Sequence, residues 1–399
     1  MKALLLTNEY PPHMYGGAGI HVAYLSRELA KLCKVDVRCF GSQRVRNGSL
    51  TATGYAADER AYKCPPPLNH VFGAFRRCLD FNTSGIDADI VHCHTWYTHL
   101  GGILAKLNYS IPLVVTTHSL EPLRPWKREQ LAGGYNCSLW VERAALEMAD
   151  AVVAVSKEAR KDIMRLFRVD PGRIHVIHNG IDIDEYRPAG KPATLRRLGI
   201  DVSRPYVLFV GRITRQKGIA HLVNAIRYMD GDFQVVLCAG APDTPEIAAR
   251  MRRAIREAGR RRRGVVWIQQ MLDTPDKVAL YSGASVFICP SIYEPFGIIN
   301  LEAMACEVPV VASAVGGIKE VVVDGVTGVL VAAKQAGAGS FELASPHEFE
   351  RGLAAGVNRL MRNAPLRLRM GKAGRRRAIE NFGWPAIAKR TFDLYRSLV

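Results

Sequence analysis

The stretch Tyr206-Val207-Leu208-Phe209-Val210-Gly211-Arg212-Ile213-Thr214-Arg215-Gln216-Lys217-Gly218 decides the fold. Its opening run is continuously apolar and too short for a helix, so it reads as a strand covered on both faces. It runs straight into a glycine and a basic loop. The same rhythm recurs at Gln234–Cys238, Val265–Ile268, Val286–Cys289, Val308–Ala312 and Gly328–Val331, with helical patterns between. An earlier series precedes it: Ala3–Thr7, Val35–Phe40, Ile90–His94, Leu113–Thr117, Ala151–Val155 and His175–Ile177. Each half therefore reads as a doubly wound parallel sheet, and the fold class is α/β with two Rossmann-like domains facing across a cleft. The proline- and glycine-bearing stretch Arg187-Pro188-Ala189-Gly190-Lys191-Pro192 separates the series. The expected domains are 1–187 and 188–383, with a terminal amphipathic helix at 384–399 whose Pro385 suits a first turn.

Bulk properties agree. A chain of 399 residues exceeds what one hydrophobic core usually serves. Its 48% hydrophobic and 23% charged residues are ordinary for a globular protein. No window approaches about eighteen consecutive apolar residues, so no membrane span is expected. Only Ala3-Leu4-Leu5-Leu6 separates Lys2 from Thr7-Asn8-Glu9, too little for a secretory h-region. Nine scattered cysteines without a CxxC pair suit a reducing cytosol, and the expected location is cytoplasmic.

The net charge of +17 favours anionic partners. It concentrates in Arg252, Arg253, Arg256 and Arg260 to Arg263, and again in Arg375 to Arg377. These runs read as solvated faces and C-terminal turns of helices, where cations suit the macrodipole. No aromatic residues interleave them as a base-stacking surface needs, so nucleic acid is not an expected partner. A peripheral membrane surface is the secondary reading.

Open parallel sheets bind ligands beyond the carboxyl ends of their strands. One segment there is Glu294-Pro295-Phe296-Gly297-Ile298-Ile299-Asn300-Leu301-Glu302. Pro295 favours a helix starting close behind it. At 100° per residue this helix is apolar nearly all round, with only Asn300 and Glu307 on a polar edge, so it should be buried. Glu302 falls about 40° from Ile298, on the inner side. A carboxylate there needs a partner: an arginine in the core, or the hydroxyls of a ribose. The N–H groups of Gly297 and Ile298 at the helix start would make an anion site. Arg212 and Lys217 pair a fork with a point charge, a clamp for a diphosphate. Otherwise they are a basic loop, although cations at a helix start are favoured only with an anion present.

Gly16 and Gly17, in Tyr15-Gly16-Gly17-Ala18-Gly19, permit close approach of a ligand or form a plain turn. His92, His94, His99 and His118 show no zinc-ligand spacing, so no metal is expected. His118, ending the strand Leu113–Thr117, is either a satisfied structural residue or a catalytic one. Asp182-Ile183-Asp184 has the look of a metal-binding DxD but reads as a structural turn.

Together these pieces resemble the retaining glycosyltransferases of family 4, which have the GT-B fold. The matching residues are Gly16-Gly17, Thr117-His118, His178-Asn179-Gly180-Ile181-Asp182, Gly211-Arg212 with Lys217-Gly218, Pro290-Ser291 with Glu294-Pro295-Phe296-Gly297, Leu301-Glu302-Ala303-Met304-Ala305, and Asp324-Gly325 with Thr327-Gly328. Asn8-Glu9-Tyr10-Pro11-Pro12 and His94-Thr95-Trp96-Tyr97 are similar to the short glycogen synthases of the actinobacterial type, a group that includes makers of α-maltose-1-phosphate. Longer bacterial glycogen synthases differ, with Lys-Thr-Gly-Gly in place of Tyr15-Gly16-Gly17 and His-Asp-Trp in place of His94-Thr95-Trp96.

The resemblance implies an acceptor-side N-terminal domain, a donor-side C-terminal domain and a last helix crossing back to the first. It implies a nucleotide-sugar donor, ADP-glucose, and a glucan end or glucose-1-phosphate as acceptor. Arg212 and Lys217 would neutralise the leaving diphosphate, with Gly297 and Ile298 helping to hold it and Gly16 and Gly17 lining the donor site. Glu302 would bind ribose, Glu294 a glucose hydroxyl, and His118 the donor sugar near the reacting carbon. No metal or other cofactor would be required. Two other readings share these residues: a family 4 enzyme acting on a lipid or small-metabolite acceptor with another nucleotide-sugar, and a nucleotide-sugar epimerase.

Overall fold

A computed structural model describes residues 1–14, 16–56, 62–240, 242–337, 340 and 342–399. The chain forms two compact units, Met1–Gly180 with Trp384–Val399, and Ile181–Gly383. The boundary therefore falls at 180/181 rather than at the expected 187/188. The reason is local. Ile181 N–H donates to Phe382 O at 2.7 Å, and the buried Tyr186 hydroxyl reaches Glu302, so this segment packs with the second unit. The proline-rich stretch beyond it leads into a short helix, Pro192–Arg197, instead of marking the border.

The first unit is built on eight strands: β1 (Lys2–Thr7), β2 (Lys34–Phe40), β3 (Arg44–Asn47), β4 (Leu50–Tyr55), β5 (Ile90–His94), β6 (Leu113–Thr117), β7 (Ala151–Ala154) and β8 (Ile174–Val176). Their order is β3-β4-β2-β1-β5-β6-β7-β8. All pairs are parallel except β3 with β4, so the sheet is mixed, not purely parallel as expected. Every residue of β3 is exposed, and its two arginines blunt the sheet edge against further pairing. The second unit carries β9 (Tyr206–Arg212), β10 (Gln234–Gly240), β11 (Val265–Ile268), β12 (Val286–Cys289), β13 (Val310–Ser313) and β14 (Gly328–Val331). They are all parallel in the order β11-β10-β9-β12-β13-β14, that of a doubly wound nucleotide-binding sheet. Strands β6, β7, β12 and β13 are buried along their whole length, as continuous apolar runs require.

The terminal helix Trp384–Arg396 completes the first core. Its Trp384, Ile387, Ala388, Leu394 and Tyr395 join one cluster with Val22, Leu25 and Leu29 from the helix Gly17–Leu29. Trp384 stacks on Tyr24 with ring centroids 5.7 Å apart. No helix among the described residues is long and apolar enough to cross a membrane.

The basic runs are partly structural. Arg375 donates to Ala305 O and Tyr186 O, and Arg377 to Glu320 O and Val321 O, so both hold carbonyls at helix C-termini. Arg262 binds Met229 O and Phe233 O and lies over the Phe233 ring. Asp182 Oδ1 accepts from the N–H groups of Asp184 and Glu185, the structural turn expected of that motif.

Candidate functional site

In the second unit the sheet order reverses between β9 and β12, so the loops after these adjacent strands meet at the switch point. Arg212 ends β9, its guanidinium 3.8 Å from the Asp243 carboxylate. Lys217 Nζ reaches Glu294 Oε2 at 2.6 Å, and Ser291 Oγ donates to the same oxygen at 3.3 Å. The Lys217 and Glu294 side chains are only 16% and 9% exposed, so the pair lies in a low-dielectric setting where charge interactions are strong. The backbone fixes it. Ile292 N–H bonds Gln216 O at 2.9 Å, and Gly218 sits at φ +60 with space for a Cβ denied by Pro290 O at 2.0 Å. The two loops thus touch backbone to backbone.

Glycines missed by the sequence reading support Glu294 from behind. Gly316 has φ +47, and a Cβ there would lie 2.1 Å from Glu294 O. Gly317 N–H donates to that same oxygen at 3.0 Å. The paired glycines just after an apolar strand were the available signal.

The helix Ile298–Ala305 opens on Gly297 and is buried along most of its length. The initial N–H groups of a helix have no intrahelical acceptor, and this helix starts beside Glu294, where a Cβ at Gly297 would lie 3.3 Å from Glu294 Cγ. Asn300, expected on a polar edge, is instead fully buried with neither side-chain polar atom hydrogen-bonded. Glu302 is buried as expected but has a different partner from either one weighed: Tyr281 OH donates to Oε2 at 2.7 Å and Tyr186 OH to Oε1 at 3.2 Å. Burial, with the Glu302 carboxylate adding to it, raises the Tyr281 phenol well above its ordinary pKa, which keeps the hydroxyl a donor. Neither tyrosine carried a sequence signal, since the partners lie 116 and 21 residues from Glu302.

In the first unit the order reverses between β1 and β5. Gly16 caps the helix Gly17–Leu29, and its N–H donates to Glu9 Oε2 at 2.6 Å, so a carboxylate stands at this glycine turn. Tyr15 lies outside the described residues. Thr95, at φ +69 behind β5, donates to Asn8 Oδ1 at 2.8 Å and joins the two loops. His118 follows β6 and is partly exposed. Its Nε2 lies 3.0 Å from His94 Nδ1, and its ring meets His21 edge-on at 4.7 Å between centroids. His21 Nδ1 pairs with Asn179 Oδ1 at 2.7 Å. Burial holds His21 down at about 4 and, with neighbouring imidazoles adding to it, His94 and His118 well below the ordinary histidine range. These rings are neutral at pH 7. The structure therefore groups Lys217 with Glu294, gives Glu302 its own tyrosine partners, and sets His118 in a histidine cluster that residue spacing did not reveal.

Residues 15–185 match the family described as Glycosyltransferase Family 4, and residues 191–377 match Glycosyl transferases group 1. The α-maltose-1-phosphate synthase of Mycolicibacterium smegmatis is 47% identical, covering 100% of both chains. A D-inositol 3-phosphate glycosyltransferase of Xylanimonas cellulosilytica is 32% identical over 77% of this chain and 71% of its own. Among solved structures, sucrose-phosphate synthase from Thermosynechococcus elongatus superposes with a TM-score of 0.80 at 25% identity, covering 100% of this chain and 99% of that one. With both family matches and an end-to-end relative, the chain belongs to the GT-B glycosyltransferases of family 4.

Proposed function

We propose that the protein moves glucose from ADP-glucose to the 4-hydroxyl of α-glucose-1-phosphate, with retention of the α configuration, releasing ADP and forming α-maltose-1-phosphate. The observation that carries this reading is the 47% identity, along the whole chain, to α-maltose-1-phosphate synthase. The 32% identical relative is named for another small phosphorylated acceptor, which favours a sugar phosphate over a glucan end.

The mechanism we propose is electrostatic. Arg212 and Lys217 neutralise charge developing on the departing diphosphate, and the Gly297 and Ile298 N–H groups add fixed dipoles there. Glu294, already held against Lys217, takes a hydroxyl of the transferred glucose. Glu302 takes the ribose hydroxyls, and Tyr281 keeps its carboxylate oriented. His118 is proposed to contact the donor sugar, and Gly16 and Gly17 to line the donor site. A departing phosphate oxygen accepts the proton of the attacking hydroxyl as the sugar–phosphate bond breaks and the new glycosidic bond forms on the same face. Protein cations carry the electrostatic work, so no metal or other cofactor takes part.

The test pairs ADP-glucose or UDP-glucose with either glucose-1-phosphate or glycogen and identifies products by phosphorus and carbon NMR. ADP-glucose with glucose-1-phosphate should yield α-maltose-1-phosphate far faster than any other pair. Faster elongation of glycogen would replace this reading with polymer synthesis, and preference for UDP-glucose would correct the donor.

A further inference from the structure

Three histidines from distant points of the sequence converge at the carboxyl ends of the first sheet. His21 comes from the helix Gly17–Leu29, His94 from the end of β5 and His118 from just beyond β6. One ring nitrogen of each lies within 4.8 Å of the others, and this is the only such group among the described residues. We infer that His21, His94 and His118 form a binding site for a borderline transition-metal ion, with Zn2+ as the natural probe.

The ligand chemistry fits. A metal-bound histidine usually offers one nitrogen while its other N–H is held by an oxygen, which fixes the tautomer. His21 is arranged in this way: its Nδ1 pairs with Asn179 Oδ1 at 2.7 Å, leaving Nε2 as the lone-pair donor. His94 Nδ1 and His118 Nε2 already stand 3.0 Å apart, and two nitrogens on one tetrahedral zinc stand about 3.3 Å apart for bonds of roughly 2.0–2.1 Å. An ion between them replaces the proton they share. That proton moves to the remote nitrogen of its own ring, and none is released. His94 Nε2 is buried without a hydrogen bond. His92 is excluded as a ligand, since its nitrogens pair with Tyr395 OH and Thr116 Oγ1. Three imidazoles and no carboxylate select Zn2+, Ni2+ or Cu2+ over Mg2+, which requires oxygen ligands. His118 is partly exposed and gives the ion a way in. A zinc there takes His118 away from the donor sugar, a consequence that rests on the role proposed above.

Calorimetric titration of the full chain with ZnCl2 should give one tight site per chain, and MgCl2 should give none. His21→Ala should weaken zinc binding at least 10-fold. Asn179→Ala removes no ligand, only the hold on the His21 ring, and should weaken binding about 10–100-fold while circular dichroism shows the fold retained. The Co2+ complex should lack thiolate charge-transfer absorption, because no cysteine takes part. Absence of a one-to-one site, affinity unchanged from the unsubstituted protein in both variants, or a thiolate band would overturn the proposal. Stoichiometric zinc with unchanged turnover would uphold the metal site and remove His118 from the donor site.

Discussion

At the residue scale, the structural share of Lys217 and Glu294 can be separated from the catalytic share proposed for them. They are a short, nearly buried ion pair, and removing one partner of such a pair costs about 3–5 kcal/mol because the other charge stays buried alone. Lys217→Ala should therefore lose about 3 kcal/mol of stability and lower turnover by roughly 100-fold or more. Lys217→Ala/Glu294→Ala should regain much of the stability in urea titrations but none of the turnover. If turnover returned with stability, the pair would be structural only. Gly316 supplies a second comparison. Gly316→Ala forces a Cβ to 2.1 Å from a backbone oxygen of Glu294, whereas Gly325→Ala, at φ +73 with nothing within 4 Å, bears only the left-handed cost of about 1 kcal/mol. Gly316→Ala should lose turnover by an order of magnitude beyond any loss in Gly325→Ala. Equal turnover would mean the glycine pair does not position Glu294. Tyr281→Phe leaves Glu302 one donor short and should raise the donor KM severalfold while kcat changes little, a split visible in initial-rate kinetics.

At the element scale, the helix Ile298–Ala305 is anchored at its far end by Arg375, which bridges Ala305 O and Tyr186 O. Hydrogen bonds to a charged group are worth about 1.5–3 kcal/mol. Arg375→Ala should lower the melting temperature and also raise the donor KM, because Glu302 and its partner Tyr186 both depend on that anchor. A lower melting temperature with an unchanged KM would confine Arg375 to stability. Elements such as this helix were legible because a run apolar on all sides has to be buried. Strands β5, β6, β11, β12 and β14 were legible to the residue as short, mostly apolar runs, although β11 and β14 are only partly buried. Strand β3 was not, since Arg44–Asn47 is an exposed edge held by pairing with β4 and has no apolar pattern. Periodicity placed Glu302 on an inner face but could not name its partners, because Tyr186 and Tyr281 arrive from other elements. The burial of Asn300 was hidden for the converse reason: a polar residue at a helix start reads as solvent-facing unless its surroundings are known. The grouping of His21, His94 and His118 is set by strand order, which residue spacing does not encode.

At the scale of the whole molecule, the two units should respond differently to acid. Burial depresses His21 to about 4 and His92 and His99 to about 3, while His94 and His118 also lie well below the ordinary value; all five belong to the first unit. The unfolded chain takes up these protons below about pH 6.5 and the folded chain does not, so their stability contribution is complete above that pH and lost as pH falls toward 4. At pH 5.5 the loss is on the order of 1 kcal/mol for each imidazole. One group opposes it. Burial beside Glu121 raises the Glu142 carboxyl well above its ordinary value, so its protonation favours the folded state as pH falls and offsets part of that loss. The balance is a net loss of a few kcal/mol, or a fall of several degrees in the transition of a unit of this size. Four of the five tryptophans, Trp96, Trp126, Trp140 and Trp384, lie in the first unit, and only Trp267 lies in the second. Fluorescence-monitored melting of Trp267→Phe therefore follows the first unit alone. Its transition should drop between pH 7.5 and 5.5, and the further calorimetric transition of the second unit should move much less. A first-unit transition that stayed constant over this interval would show that these imidazoles already accept protons in the folded state, and their neutrality at the site would have to be abandoned.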